Sequence, residues 1–186
     1  MLAVAESKEL PVQEAKAGDP EAWNRLFQRY QLPLYSYVFE LVRDEQTSLD
    51  IVQETFINAV RHIGGLRDEA KFGSWLFGIA HQKCIQQWRK QSRTESICID
   101  VERLETISDG EPNPSDWLIN KEREDEFMRQ LSQLPPSQRS VLLLNVVEEF
   151  SLEEIAAITV TAIGTVKSRL HYARKALRKL IEKEGP

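Results

Sequence analysis

Cysteine is all but missing from this chain. Cys84 and Cys98 are the only two in 186 residues, which excludes a disulfide framework and leaves reduced thiols as the default. Long apolar runs are missing too, since none approaches the roughly 20 residues that a membrane span needs. The start, Met1 to Glu6, carries neither the basic flank nor the apolar core of a secretory signal, so a cytoplasmic protein is expected. There is no glycine-rich phosphate loop, nucleophile constellation or metal cluster. Neither enzymatic activity nor a cofactor is therefore expected. His81 and Cys84 stand at i and i+3 of a helical pattern, but two ligands do not make a metal site. His62 is expected to complement the C-terminal dipole of its helix.

What is present is a soluble globular composition, with 41% hydrophobic residues and a mean hydropathy of −0.41. A length of 186 residues suits one large or two small domains. The net charge of −5 is unevenly spread. Between Glu95 and Glu126 eleven acids face three bases, a net of −8, so the rest of the chain carries +3. The acidity belongs mostly to one segment, and the flanking pieces are free to meet phosphate.

Helical periodicity dominates, and no strand-like alternation interrupts the first half. Asp19 and Pro20 read as N-cap and first helical residue. Trp23, Leu26, Phe27, Tyr30, Leu34, Tyr35 and Val38 then form a core-facing stripe, with Pro33 expected to kink it. A second helix is expected from Thr47 to about Ile63, opened by a Thr47/Asp50 capping box and closed by Gly64-Gly65. After a polar loop, Leu66 to Lys71, another helix runs from about Phe72 to Lys90. Residues 93–116 read as an acidic linker with turn formers such as Ser108-Asp-Gly110 and Pro112-Asn-Pro114.

A second helical block begins near Trp117. Its first helix holds Leu118, Phe127, Met128 and Leu131, and Pro135-Pro136 opens the next. Ser151 and Glu154 form another capping box before Ile155, Ala156 and Ile158. After a break at Thr159 to Ala162 comes a final helix with Val166, Leu170, Ala173, Leu177 and Leu180 inward. It sets Lys167, Arg169, Arg174, Lys175, Arg178, Lys179 and Lys183 against two acids at its end, Glu182 and Glu184. A solvated amphipathic helix explains most such runs. Here a short capped helix and a short break precede it, which makes a helix-turn-helix whose second helix would enter a DNA major groove. The expected fold is all-α: two small helical domains, residues 1–92 and 117–186, joined by the acidic linker, the C-terminal one a helix-turn-helix.

Two stretches carry a more specific likeness. Asp50-Ile-Val-Gln-Glu-Thr-Phe56 resembles the second conserved region of bacterial RNA polymerase sigma factors of the extracytoplasmic-function subfamily. Glu154-Ile-Ala156 and Gly164-Thr-Val-Lys-Ser-Arg-Leu170, after Leu134-Pro-Pro136, resemble the fourth. Both lie in the right order and at the right separation. The resemblance implies an alternative sigma factor that directs RNA polymerase to promoters. It places Asp50, Gln53 and Glu54 on the helix that meets the β′ clamp coiled coil. Arg67 and Lys71 of the loop, with Phe72 and Trp75, would melt the minus-ten element and hold an unstacked base; stacking contributes ~1–3 kcal/mol per base. Core packing is the rival reading for both aromatics and the favoured one for Trp75. Thr165, Lys167, Ser168, Arg169, His171, Tyr172 and Arg174 would serve the minus-thirty-five DNA, with the same region docking on the β flap. The linker would thread the polymerase cleft.

The departures from the family are local. A run such as Asp-Ala-Glu-Asp is usual where this chain has Thr47-Ser48-Leu49-Asp50, so two carboxylates are missing and two hydroxyls are present. Phosphorylation of Thr47, or less readily Ser48, would restore about −1.5 to −2 of charge and switch polymerase binding on; the rival is that Thr47 is only an N-cap. The usual Leu-Gly of the turn is Thr159-Val160, which removes the glycine a left-handed turn prefers. Tyr172 replaces a frequent arginine, and Gln82 and Gln86 stand where Asn and Asp are common. Control by a Ser/Thr kinase or an anti-sigma factor is expected. A helix-turn-helix repressor acting without polymerase is the alternative function.

Overall fold

The computed structural model describes residues 10–95 and 121–184. Among the described residues every regular element is helical: α1 (Val12–Lys16), α2 (Pro20–Val42), α3 (Glu45–His62), α4 (Phe72–Glu95), α5 (Lys121–Ser132), α6 (Pro136–Leu142), α7 (Leu152–Thr159) and α8 (Ile163–Glu184). The short α1 has no counterpart in the sequence reading. The proposed acidic linker, with Trp117 and Leu118, lies outside the described residues.

The helix starts show which side chains decide local structure. Asp19 caps α2 by accepting from the Glu21 N–H at 2.9 Å, with Pro20 first in the helix. Pro33 removes one backbone bond, yet α2 runs on through it to Val42. Sequence reasoning misplaced the start of α3. Its N-cap is Asp44, which accepts from the Thr47 N–H at 2.8 Å, and the helix begins at Glu45. The Thr47/Asp50 capping box does not form because Asp44 already takes that orphan donor. The Ser151/Glu154 box does form, with both reciprocal bonds present.

Amphipathic stripes from two helical units then assemble one continuous core. In the first unit Leu26, Tyr30 and Leu34 of α2 meet Ile51, Val52 and Phe56 of α3 and Phe72, Leu76 and Phe77 of α4, all buried. Each such side chain contributes about 1.5–3 kcal/mol on burial. In the second, Leu131, Leu134, Val141 and Leu142 pack with Ile155 and Ile158 of α7 and Val166, Leu170 and Ala173 of α8. A π-type turn, Leu143–Val147, follows α6 and delivers buried Phe150 to the edge of Phe77, ring centroids 5.2 Å apart. The two units are therefore packed on each other, with α7 lying on α4.

The turn before α8 keeps its left-handed residue without a glycine. Val160 has φ +52° and ψ +50°, a backbone that costs a β-branched side chain about 1–2 kcal/mol. Its side chain is 73% exposed and gains little packing in return. Relief of strain outweighs the larger entropy a glycine loses on folding, so Val160→Gly is expected to stabilise the protein by about 0.5–1 kcal/mol. Urea denaturation measures this, and a lowered midpoint would show the turn to be unstrained.

Candidate nucleic-acid interface

Helix α3 presents one flank to solvent. Asp50, Gln53 and Glu54 are all exposed, as the sequence reading requires of partner-binding groups. Glu54 accepts from Lys83 Nζ of α4 at 2.6 Å, which holds its carboxyl below the ordinary range. Sequence reasoning missed the apolar residues of the same flank. Leu49, Ile57 and Val60 are 48%, 42% and 53% exposed, spaced along one helical stripe. The signal was there, since these positions fall off the core-facing register of Ile51, Val52 and Phe56. An apolar stripe ringed by carboxylates suits a protein partner.

Of the two hydroxyls, the structure favours one. Ser48 is fully buried and donates to the Asp44 carbonyl at 2.6 Å, so its oxygen is closed to a modifying enzyme, which corrects its inclusion as a phosphorylation site. Thr47 is half-buried at the helix start. Hydrogen bonds from Thr47, side chain first and backbone second, hold the Asp44 carboxyl below its usual range.

The loop before α4 ends in a single 3-10 turn, Glu69–Lys71, with Asp68 capping Ala70. Arg67 and Lys71 are exposed beside it, and Lys71 reaches Asp68 at 3.9 Å. Phe72 is a correction. It is fully buried, tilted against Tyr30 at 5.4 Å and Trp75 at 5.9 Å, and no face of it is open to a base. Its apolar ring belongs to the core, because α4 turns its first residue inward. Trp75 is half-buried.

On α8 the basic residues divide into two sets. Lys167 and His171 are exposed one turn apart, with Lys175 and Arg178 continuing the stripe. Thr165 and Ser168 are half-buried, and the Ser168 hydroxyl donates back to the Thr165 carbonyl at 3.0 Å. Arg174 donates to Asn145 Oδ1 at 3.0 Å, a contact that ties α8 to the turn after α6. Tyr172 lines a shallow groove of about 320 Å³ with Gln138 and Lys179, on the α6 side of α8. Burial, and to a lesser degree the charge of Arg169, push the His81 imidazole of α4 down to about 4. The His81 Nδ1 is 2.8 Å from the Tyr37 hydroxyl, so this nitrogen is occupied in the core.

A capped helix, a tight left-handed turn and a basic second helix define a helix-turn-helix DNA-binding protein. The model for sigma-70 region 2 matches residues 26–94, and that for sigma-70 region 4 matches residues 124–177. The ECF RNA polymerase sigma factor SigW of Bacillus subtilis is 30% identical over 90% of this chain and 93% of its own length. The ECF RNA polymerase sigma-E factor of Escherichia coli K12 is 32% identical over 89% and 90% respectively. Among solved structures, sigma factor RpoE in complex with the anti-sigma factor NepR from Bartonella quintana covers 87% of this chain and 99% of its own, at 26% identity and a TM-score of 0.63. CnrH in complex with the cytosolic domain of CnrY shares the fold, with a TM-score of 0.67 at 21% identity and coverage of 97% and 100%. The chain belongs to the ECF sigma factors of RNA polymerase, proteins of transcription initiation and not enzymes.

Proposed function

We propose that this chain binds core RNA polymerase through the exposed flank of α3 and delivers it to a two-part promoter. The observation that carries the reading is the pairing of one partner-binding flank with one basic recognition helix, on separate helical units. Asp50, Gln53 and Glu54 with Leu49, Ile57 and Val60 form the surface for the β′ clamp coiled coil. Arg67 and Lys71 serve the minus-ten element, with Trp75 as the remaining aromatic. Lys167 and His171 face the minus-thirty-five DNA, joined by Thr165, Ser168 and Arg169 at the start of α8. Tyr172 and Arg174 act from behind, through the α6 contact and Asn145. The same unit docks on the β flap. Lys/Arg contacts to phosphate make such binding steeply salt-dependent. An anti-sigma factor is a fitting restraint, since the RpoE relative is solved with one.

The finer part of the proposal concerns Thr47. The flank of α3 lacks the usual carboxylates, and Thr47 stands in its first turn, where the helix dipole favours negative charge. A phosphoryl group there restores the lost charge and competes with Asp44 for the free N–H groups. The test compares wild type, Thr47→Asp and Thr47→Ala for affinity to purified core polymerase, then maps the transcripts each protein directs. The aspartate is expected to bind roughly fivefold more tightly, the worth of about one surface charge pair (~1 kcal/mol). Equal binding by all three sinks the switch, and the absence of any protein-dependent transcript sinks the sigma-factor reading itself.

A further inference from the structure

Helix α1 is five residues long, too short to hold by itself in water. Tertiary contacts hold it. Val12 and Ala15 are buried against α2, and the Trp23 indole donates to the Ala15 carbonyl at 3.0 Å. Gly18, with φ +88°, turns the chain back sharply, and the Asp19 N–H closes that turn on the Glu14 carbonyl at 3.0 Å. The same helix lies against the 3-10 turn Ile63–Gly65, which leads into the polar loop before α4. From this fixed base Lys16 reaches the loop itself. Its Nζ stands 3.4 Å from Glu69 Oε1, with the two side chains 21% and 31% exposed. Among the described residues the other polar contacts of the loop are local. The Ala70 N–H donates to the Asp68 carboxylate at 3.1 Å, the Lys71 N–H to the Asp68 carbonyl at 3.1 Å, and the Ser74 hydroxyl to the Lys71 carbonyl at 3.1 Å. Half-buried Leu66 and buried Phe72 anchor the two ends. Between them, the Lys16–Glu69 pair ties the loop to the helical unit.

We propose that Lys16 is a positioning residue for promoter opening: through Glu69 it braces the loop in the shape that takes an unstacked base of the minus-ten element. The proposal rests on the reading of Arg67 and Lys71 as minus-ten groups. Its physical basis is entropy and charge. A loop already held in its bound shape loses less freedom when a base docks on it. The loop also carries two acids, Asp68 and Glu69, beside Arg67 and Lys71, and an uncompensated carboxylate repels the phosphate backbone. Lys71 answers Asp68 at 3.9 Å, and Lys16 answers Glu69. The braced loop therefore meets DNA with three bases against two acids. Because both partners of the brace are partly sheltered, salt screens the pair less than it screens a fully exposed one.

Charge changes in the full chain test the brace. Transcript yield with purified core polymerase is read on a promoter recovered from its mapped transcripts, first as duplex and then with the minus-ten element already unpaired. Lys16→Gln and Glu69→Gln are each expected to lose roughly two- to fivefold on the duplex, the reach of a partly exposed ion pair. Both are expected to match wild type on the unpaired template, where no opening is needed. The exchange of Lys16→Glu with Glu69→Lys is expected to yield more than its two single changes combined predict. Strictly additive effects overturn the pairing. A raised yield from Glu69→Gln makes that carboxylate a plain repulsive charge and overturns the brace, as do duplex yields equal to wild type. A loss of equal size on both templates makes Lys16 a general prop of the fold and overturns its part in opening. Arg67→Ala combined with Lys71→Ala separates the two levels of the proposal. Full duplex yield from that protein overturns the minus-ten reading of the loop, whereas a loss there beside unaffected Lys16 variants overturns the brace alone.

Discussion

Arg139→Ala is expected to unfold about 3–5 kcal/mol more easily than wild type. The guanidinium donates to three backbone carbonyls, Glu40 at 2.7 Å and Leu134 at 2.9 Å in the interior and Ser132 at 2.8 Å half-buried. Each bond from a charged donor is worth about 1.5–3 kcal/mol, and the abandoned interior carbonyls have no water to turn to. Removing one member of a buried charged group typically costs 3–5 kcal/mol, so the losses do not simply add. The Glu40 carboxyl stands by, bonded to Arg43 and raised by burial against the pull of Arg43 and Arg139. Losing Arg139 leaves that carboxylate less compensated. For a chain of this size each kcal/mol moves Tm by about 2–4 °C, so a fall on the order of 10 °C is expected in calorimetry. Arg139→Lys cannot fork to three acceptors and is expected to recover less than half the loss. A Tm within 2 °C of wild type for the alanine variant would remove Arg139 from the account of stability.

The second large effect is a pH dependence centred on Glu148. This side chain is buried beside Tyr37 of α2, with His81 and Cys84 of α4 around that phenol, the charge of Arg169 acting on the imidazole, and the Glu40, Arg43 and Arg139 group about one turn along α2. Burial pushes the Glu148 carboxyl up to about 8 from 4.5. The packed protein therefore holds a proton that the unfolded chain releases, and the packed state weakens as pH rises. The loss begins near 4.5, grows through about 8 and is flat above. His81 acts with the opposite sign. Its depressed value means that packing requires a neutral ring, so its contribution is lost as pH falls from 6.5 through about 4. The two slopes offset each other between about pH 5 and 6.5, and Glu148 dominates above. Glu148→Gln removes its slope. The gain in stability of that variant over wild type is expected to grow by about 3–4 kcal/mol between pH 5 and 8. Urea denaturation at a series of pH values measures it. Parallel curves for the two proteins would mean that Glu148 ionises in place.

Much of this protein was legible before any coordinates. Spacing of apolar residues placed the long helices, since a stripe at three and four residues has only one way to meet a core. Ser151 with Glu154 and Asp19 with Pro20 marked two helix starts, because the orphan N–H groups there accept few partners. The start of α3 was misread for the same reason. Both Asp44 and Thr47 are capping residue types, and the sequence does not rank two competing helix starts. Phe72 was misassigned because an aromatic at a loop–helix junction looks alike whether it stacks on a base or on Tyr30. Only the path of the chain past Tyr30 turned it inward.

The candidate site divides along the same line. Asp50, Gln53 and Glu54 of α3, and Lys167 and His171 of α8, follow from helical periodicity, which sends charged positions away from an apolar stripe. The roles of Arg139, Glu148 and His81 do not. Nothing local distinguishes Arg139 from the other arginines of a soluble helical protein, or Glu148 from its exposed neighbour Glu149. What sets them apart is a surface formed by residues about a hundred positions away, such as Glu40 and Tyr37. Sequence by itself determined the helices, their faces and the family. The tertiary structure decided which hydroxyl is reachable, which aromatic is core and that the two units pack on each other, because burial is a property of neighbours and the chain order does not list them.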